Sequence, residues 1–413
     1  MNTLLRNHAD AIIKASIQAV LPDNAVRRAL ENKEFPGRVI LVAAGKAAWQ
    51  MAKAAYDTLG SRLNGGVVVT KYDHVMGAIG DLELCEAGHP VPDENSFAGT
   101  RKALQATEGL TEQDTVLFLL SGGGSALFED PLVSGEELQD ITRQLLASGA
   151  DIVEMNTIRK RLSRVKGGRF AQHCAPAQVY TIVLSDILGD PLDMIASGPA
   201  CPDSSTCQEA KAIAAKYNLQ LSPAATALLE EETPKTLTNV TTCINGSVRE
   251  LCTAAAAAAS ALGYEPVLLT DQLCCQAREA GSFLGTVLKT HAASSKNLAF
   301  IAGGETVVKL TGKGKGGRNQ ELALAAADAI SGIAGAAVFS VGSDGTDGPT
   351  DAAGGYVDGD TTATLKAQGI SIFDVLADND AYHALEKCGG LVITGPTGTN
   401  VNDVAVALLH NCE

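Results

Sequence analysis

Lys46 follows the apolar run Val39-Ile40-Leu41-Val42-Ala43-Ala44 and one glycine, Gly45. A cation at such a strand-to-helix turn faces the carboxyl edge of a parallel sheet, where ligands collect. The apolar run Thr115–Leu120 ends in Ser121-Gly122-Gly123-Gly124-Ser125, a sequence that lets backbone N–H groups converge on an anion without side-chain obstruction. A tight turn after a buried strand is the plain alternative, although three successive glycines give more freedom than a turn requires. The third strand-like run, Gln178–Ser185, leads into Asp186, and an acid at a strand end can hold Mg²⁺, accept a hydroxyl proton, or simply cap a turn.

Six of the fourteen positions from Asn156 to Arg169 are Lys or Arg. Helical spacing puts Asn156, Arg159, Lys160 and Ser163 on one face, and Lys166-Gly167-Gly168 follows as a basic glycine turn. The pattern suits phosphate or carboxylate recognition; a solvated basic helix is the alternative. In the second half, Gly303-Gly304-Glu305-Thr306 and Gly312-Lys313-Gly314-Lys315-Gly316-Gly317-Arg318-Asn319 are read as lying either side of a short strand. Gly312, Gly314 and Gly317 spell G-x-G-x-x-G, but the two lysines inside the loop suit phosphate neutralisation better than a dinucleotide turn. Asp344 to Asp351 concentrates acids and glycines, without the glutamate that would close a calcium loop.

The elements that must position these residues repeat as strand, glycine turn, helix. Residues 2–20 read as a helix, and the strands at 39–44, 66–71, 115–120 and 178–185 are separated by helical stretches, so the first half reads as a Rossmann-like, doubly wound parallel-sheet domain. The acidic run Glu230-Glu231-Glu232 before Thr233-Pro234 marks a linker, dividing the chain into 1–235 and a smaller mixed α/β domain, 236–413. The net charge of −15 argues against general nucleic-acid binding. The longest nearly apolar stretch, Ala254–Leu262, is far short of a membrane span, which takes roughly 20 residues. Ten cysteines without a Cys-x-x-Cys pair point to a reduced, cytoplasmic protein. The seven histidines show no metal-ligand spacing; His89, in Gly88-His89-Pro90-Val91-Pro92-Asp93, is the one inside a motif-like segment and reads as structural.

In order along the chain, Ala44-Gly45-Lys46-Ala47, the His89 segment, Leu120–Ala126, Ile158–Ser163 with Lys166-Gly167-Gly168, Leu184-Ser185-Asp186, Gly317–Glu321, Asp344–Asp351 and Thr394–Asp403 resemble the glycerate 2-kinase family with the MOFRL C-terminal domain. The match covers nearly the whole chain; each motif alone is weak, and eight in register are specific. The resemblance implies phosphorylation of D-glycerate at its 2-hydroxyl by ATP, with Mg²⁺ or another divalent cation, in a cleft between the two domains of a monomer or homodimer.

Lys46 and Arg318 match the family's basic cleft residues and, with Asp186, are the catalytic candidates. Ser121, Gly122, Gly123, Gly124, Ser125, Lys166, Gly167, Gly168, Gly303, Gly304, Glu305 and Asn319 are candidates for phosphate or nucleotide, and Asn156, Arg159 and Lys160 for the glycerate carboxylate. Asp186 or Asp344 is the metal candidate. Two departures stand out: Arg161 where many relatives carry histidine, which bears on substrate preference, and Ser343 for a usual threonine. Phosphoryl transfer fits glycine loops, lysines and acids without a covalent nucleophile. The competing expectations are an NAD(P)H-dependent hydroxypyruvate reductase, which needs a better dinucleotide fingerprint, and a non-catalytic nucleotide or sugar-acid sensor.

Overall fold

The computed structural model describes residues 1–411. They form two compact units, one of Pro22–Asn245 and one of Met1–Leu21 with Gly246–Glu413. The first helix thus belongs with the C-terminal half, and the later division falls at 245/246 instead of 235. The physical reason is a strand that the sequence reading missed. Val240–Gly246 forms the last strand of the first sheet and carries the chain past the acidic linker before the unit ends.

The first unit holds β1 (Val39–Ala44), β2 (Leu63–Lys71), β3 (Glu83–Ala87), β4 (Thr115–Leu120), β5 (Gln178–Leu184) and β6 (Val240–Gly246), in the order β3-β2-β1-β4-β5-β6. Every pairing among β1 to β5 is parallel. The central strands are buried on both faces, which is why β1 and β4 read as unbroken apolar runs. Alternate residues feed two cores: Val42, Val69 and Phe118 on one face, Leu41, Val68 and Leu117 on the other. Phe118 packs against Phe128 and Phe170 with ring centroids 5.4 and 4.7 Å away, giving an aliphatic core one aromatic cluster under the β4 loop.

The second unit holds β7 (Glu265–Leu273), β8 (Leu298–Gly304), β9 (Ala336–Gly342), β10 (Gly354–Asp358), β11 (Leu391–Val392) and β12 (Asp403–Leu409), in the order β11-β10-β9-β12-β8-β7. Only β7 and β8 are parallel; β12 lies antiparallel between β8 and β9, so the sheet is mixed. The first helix, Thr3–Ala19, is tied to this unit: the Asn2 N–H donates to Asp358 Oδ2 at 2.7 Å, and Thr399 Oγ1 donates to Val20 O at 2.8 Å. Among the described residues no helix is long and apolar enough to cross a membrane.

Candidate active site

The strand order of the first sheet reverses between β1 and β4, and ligands of doubly wound sheets bind beyond the carboxyl ends of the strands at that reversal. The loops leaving β1 and β4 are joined there. The Lys46 N–H donates to Gly122 O at 2.9 Å, and the Ala47 N–H to Ser121 Oγ at 3.0 Å. Gly45 has a φ of +129° and no room for a Cβ, which would run into Ser121. The root of Lys46 is therefore fixed, while its half-buried ammonium enters no ion pair or hydrogen bond among the described residues.

Asp186, just after β5, lies directly over Gly122, its carboxylate filling the space a Cβ would take. Gly123 is left-handed (φ +87°), and a Cβ on it would sit 3.0 Å from His89 Nε2 and 3.2 Å from Lys46 Cγ. Lys46, Asp186 and the Ser121–Ser125 loop thus meet, and His89 joins them. From sequence His89 reads as structural, its one signal being the segment Gly88 to Asp93; the structure sets it beside the glycine loop.

The basic segment is mostly used internally. Its helix spans Ile152–Arg161, so Ser163 lies beyond the end and does not share the expected helical face. Lys166 is fully buried: its ammonium donates to Ser125 O at 2.8 Å and Phe128 O at 3.0 Å and pairs with buried Glu129 at 3.3 Å. Burial pulls its pKa down to about 8 despite that carboxylate. Lys160, also buried, pairs with Asp203 at 3.1 Å and Asp193 at 3.4 Å. These two lysines support the loops from beneath; reaching a phosphate or a substrate carboxylate would break those contacts. Arg161 is likewise enclosed, donating to Thr157 O, Ser205 Oγ and Ser205 O.

Arg159 is different. Its Nη2 donates to Ser125 O at 3.0 Å, while its buried Nε has no hydrogen-bond partner, leaving a donor beside the glycine loop. Asn156 accepts from Ser197 Oγ at 2.9 Å, and Ser197 Oγ is 3.1 Å from Ser125 Oγ. Ala196, Ser197 and Gly198 are all left-handed, at φ of 51°, 60° and 66°. Two non-glycine residues in that region are backbone strain of the kind held at ligand sites. Gly167 and Gly168 donate their N–H groups to Ser197 O and Gly198 O, so they hold this strained turn in place.

In the second unit Arg318 begins the helix Arg318–Ala326. Its Nε donates to Asp403 Oδ2 at 2.6 Å, its Nη2 to Asp403 Oδ1 at 3.1 Å and its Nη1 to Glu305 Oε1 at 2.7 Å. Asp403 opens β12 and is paired across the sheet with Gly304 and Gly342. Asp347 accepts the N–H groups of Asn319 at 3.1 Å and Gln320 at 2.9 Å, and burial nevertheless raises its pKa to about 6. Asn319 is buried and bonded to Ser340 Oγ. Gly303 and Gly304 are required by packing, since Cβ atoms there would strike Cys252 and the Leu273 backbone.

The Gly312–Gly317 loop is irregular, with one isolated bridge at Val307 before it instead of the expected short strand. Its N–H groups are largely taken: Gly312 donates to Asn379, Lys313 to Asp378 and Lys315 to Asp380. This strapping departs from a dinucleotide turn, whose donors face the ligand. With Arg318, Asp344 and Asp347 the loop lines a cavity of about 740 Å³. Ser343 keeps a hydroxyl that accepts the Val401 N–H at 2.8 Å, so its exchange for threonine is mild.

Comparison with known proteins places the chain in a family. A domain of unknown function, DUF4147, matches residues 8–230, and the MOFRL family matches residues 298–403. The chain is 54% identical over 411 residues to the D-glycerate 2-kinase of Thermotoga maritima, covering 98% of each chain. It is 41% identical to an Agrobacterium vitis protein bearing a hydroxypyruvate reductase name, covering 90% of this chain and 100% of that one. The crystal structure of a glycerate kinase from Thermotoga maritima superposes with a TM-score of 0.94 at 53% identity, over 99% of this chain and 100% of that one. The chain belongs to the glycerate 2-kinase family, in which a DUF4147 domain is followed by a MOFRL domain.

Proposed function

We propose that the chain transfers the γ-phosphoryl group of ATP to the 2-hydroxyl of D-glycerate, giving 2-phosphoglycerate and ADP. The observation that carries this reading is Lys46. Its backbone is fixed at the reversal point of a parallel sheet, beside a three-glycine loop and an aspartate, and its ammonium has no partner among the described residues. Phosphoryl transfer asks the protein for positioning and charge neutralisation, and these groups supply both. Lys46 and Arg318 stabilise the transferring group. Ser121–Ser125 cradles phosphate, and Arg159 Nε is directed at the glycerate carboxylate. Lys160, Lys166, Gly167 and Gly168 keep those loops in shape.

A magnesium ion accompanying a nucleotide needs only one or two carboxylates besides the phosphates. Asp186 fits that requirement by lying on the glycine loop, and Asp344 is the candidate in the other unit. When bound, such an ion would neutralise phosphate charge. The protein works on small molecules, without nucleic acid or membrane, in the cytoplasm, as a monomer or homodimer.

The test is paired turnover on one preparation. ADP release with ATP, Mg²⁺ and D-glycerate, yielding 2-phosphoglycerate, supports the kinase. Oxidation of NADH or NADPH by hydroxypyruvate, without glycerate-dependent ADP, overturns it.

A further inference from the structure

The unit Pro22–Asn245 contains three histidines, and two of them are tied down. His74 Nδ1 is 3.0 Å from Lys46 O, and His173 Nε2 is 3.0 Å from Leu104 O. His89 has neither ring nitrogen in a hydrogen bond among the described residues. It is also the one placed at the glycine loop. A Cβ on Gly123 would meet its Cδ2 at 2.9 Å and its Nε2 at 3.0 Å, with Lys46 Cγ beside them. Asp186 covers the adjacent Gly122. An imidazole with an uncommitted nitrogen therefore lies among groups assigned above to the transferring phosphoryl group, its phosphates and the metal ion.

We propose that His89 is a catalytic residue that takes the proton of the acceptor's 2-hydroxyl. The inference rests on the kinase reading. The hydroxyl O–H bond breaks toward His89 Nε2 as the oxygen forms its bond to the γ-phosphorus. The bond from that phosphorus to the β,γ-bridging oxygen breaks, and ADP keeps the electron pair. His89 then releases its proton to water. Such a role needs an imidazole that is uncharged before the reaction. The surroundings favour that form: burial, Lys46, Lys71 and His74 all oppose protonation, and Asp186 alone favours it. His74 and His173 each commit one ring nitrogen to a backbone carbonyl, whereas His89 commits neither among the described residues.

The experiment compares the unaltered full chain with His89→Gln and His89→Gly in glycerate-dependent ADP release, with thermal melting to show that each variant is folded. General-base loss lowers kcat by about 10²- to 10⁴-fold while leaving the KM for glycerate nearly unchanged. Added imidazole then restores kcat in folded His89→Gly in proportion to its concentration, which a packing role does not produce. Retention of kcat within about threefold in either folded variant, far less than a general base contributes, overturns the proposal. So does a loss confined to KM. The unaltered chain separates the two claims. If it forms no ADP with D-glycerate the kinase reading falls and takes this inference with it; a working kinase indifferent to His89 overturns the inference alone.

Discussion

Asp403 holds Arg318 by two hydrogen bonds, at 2.6 Å to Nε and 3.1 Å to Nη2, and so fixes the plane of the guanidinium from the first residue of a central strand. Glu305 takes the remaining side. Lysine cannot reproduce this fork. Asp403→Asn is expected to destabilise the protein by about 1.5–3 kcal/mol, the range for hydrogen bonds to charged groups. Arg318→Lys should lower kcat despite keeping the charge. Urea unfolding and ADP release on the same samples check both, and an Arg318→Lys enzyme with undiminished kcat would show that the fork is not used in turnover.

Lys46 presents the opposite case. Its backbone is fixed but its ammonium supports nothing else in the fold. Lys46→Ala should therefore leave stability within about 0.5 kcal/mol, as surface changes usually do, while kcat falls by about 10²- to 10³-fold, the scale of losing one transition-state donor. Full turnover in Lys46→Ala removes the residue from the mechanism.

Gly122 and Gly45 predict two different failures. A methyl group at Gly122 displaces the Asp186 carboxylate, so Gly122→Ala should lose activity with only modest loss of stability. At Gly45 the same change meets the Ser121 backbone at a positive φ, and should cost about 1–3 kcal/mol of stability. Thermal melts beside turnover distinguish the two; equal melting temperatures would contradict the difference.

Asp347 supplies a pH signature. Its native pKa is raised from 3.8 to about 6. Between those values the folded protein keeps a proton that the unfolded chain has released, so this group's contribution to stability is present below pH 3.8 and lost as pH rises through about 6. At about 1.4 kcal/mol per pKa unit the loss is about 3 kcal/mol. The stability of the unaltered protein relative to Asp347→Asn should therefore fall across this window in denaturant titrations. A difference that stays flat from pH 4 to 6.5 would contradict it.

The buried Lys166–Glu129 pair should respond asymmetrically. Lys166→Met leaves Glu129 buried without its partner, and is expected to cost about 3–5 kcal/mol. Replacing both residues by apolar ones of similar size should recover most of that loss. Equal instability of the single and double variants in urea would refute the coupling.

Much of this was legible because the relevant residues stand at strand ends. The apolar runs before Lys46 and Ser121 located two central strands, and glycine punctuation located their loops. The Asp403 strand was not recognised, since a heptapeptide rich in alanine and valine has no period that separates strand from helix. The basic segment misled for another reason. The partners of Lys160 and Lys166, Asp203 and Glu129, lie 43 and 37 residues away, so burial of those charges could not be read from local sequence. His89 reads as structural from sequence because its place beside the glycine loop depends on Gly123, 34 residues distant.

The unit of residues 22–245 is inserted between the first helix and the remainder of its own unit. During synthesis the nascent chain therefore completes the parallel sheet while Thr3–Ala19 still lacks the strands and helix it packs on. That segment's apolar face, Leu5, Ile12, Ile13 and Ile17, gains its partners only when the helix Val248–Ala261 and β9, part of the sheet that β12 completes, emerge. Folding of this protein is nested, with the inner unit able to close first and the outer one only when translation is nearly over.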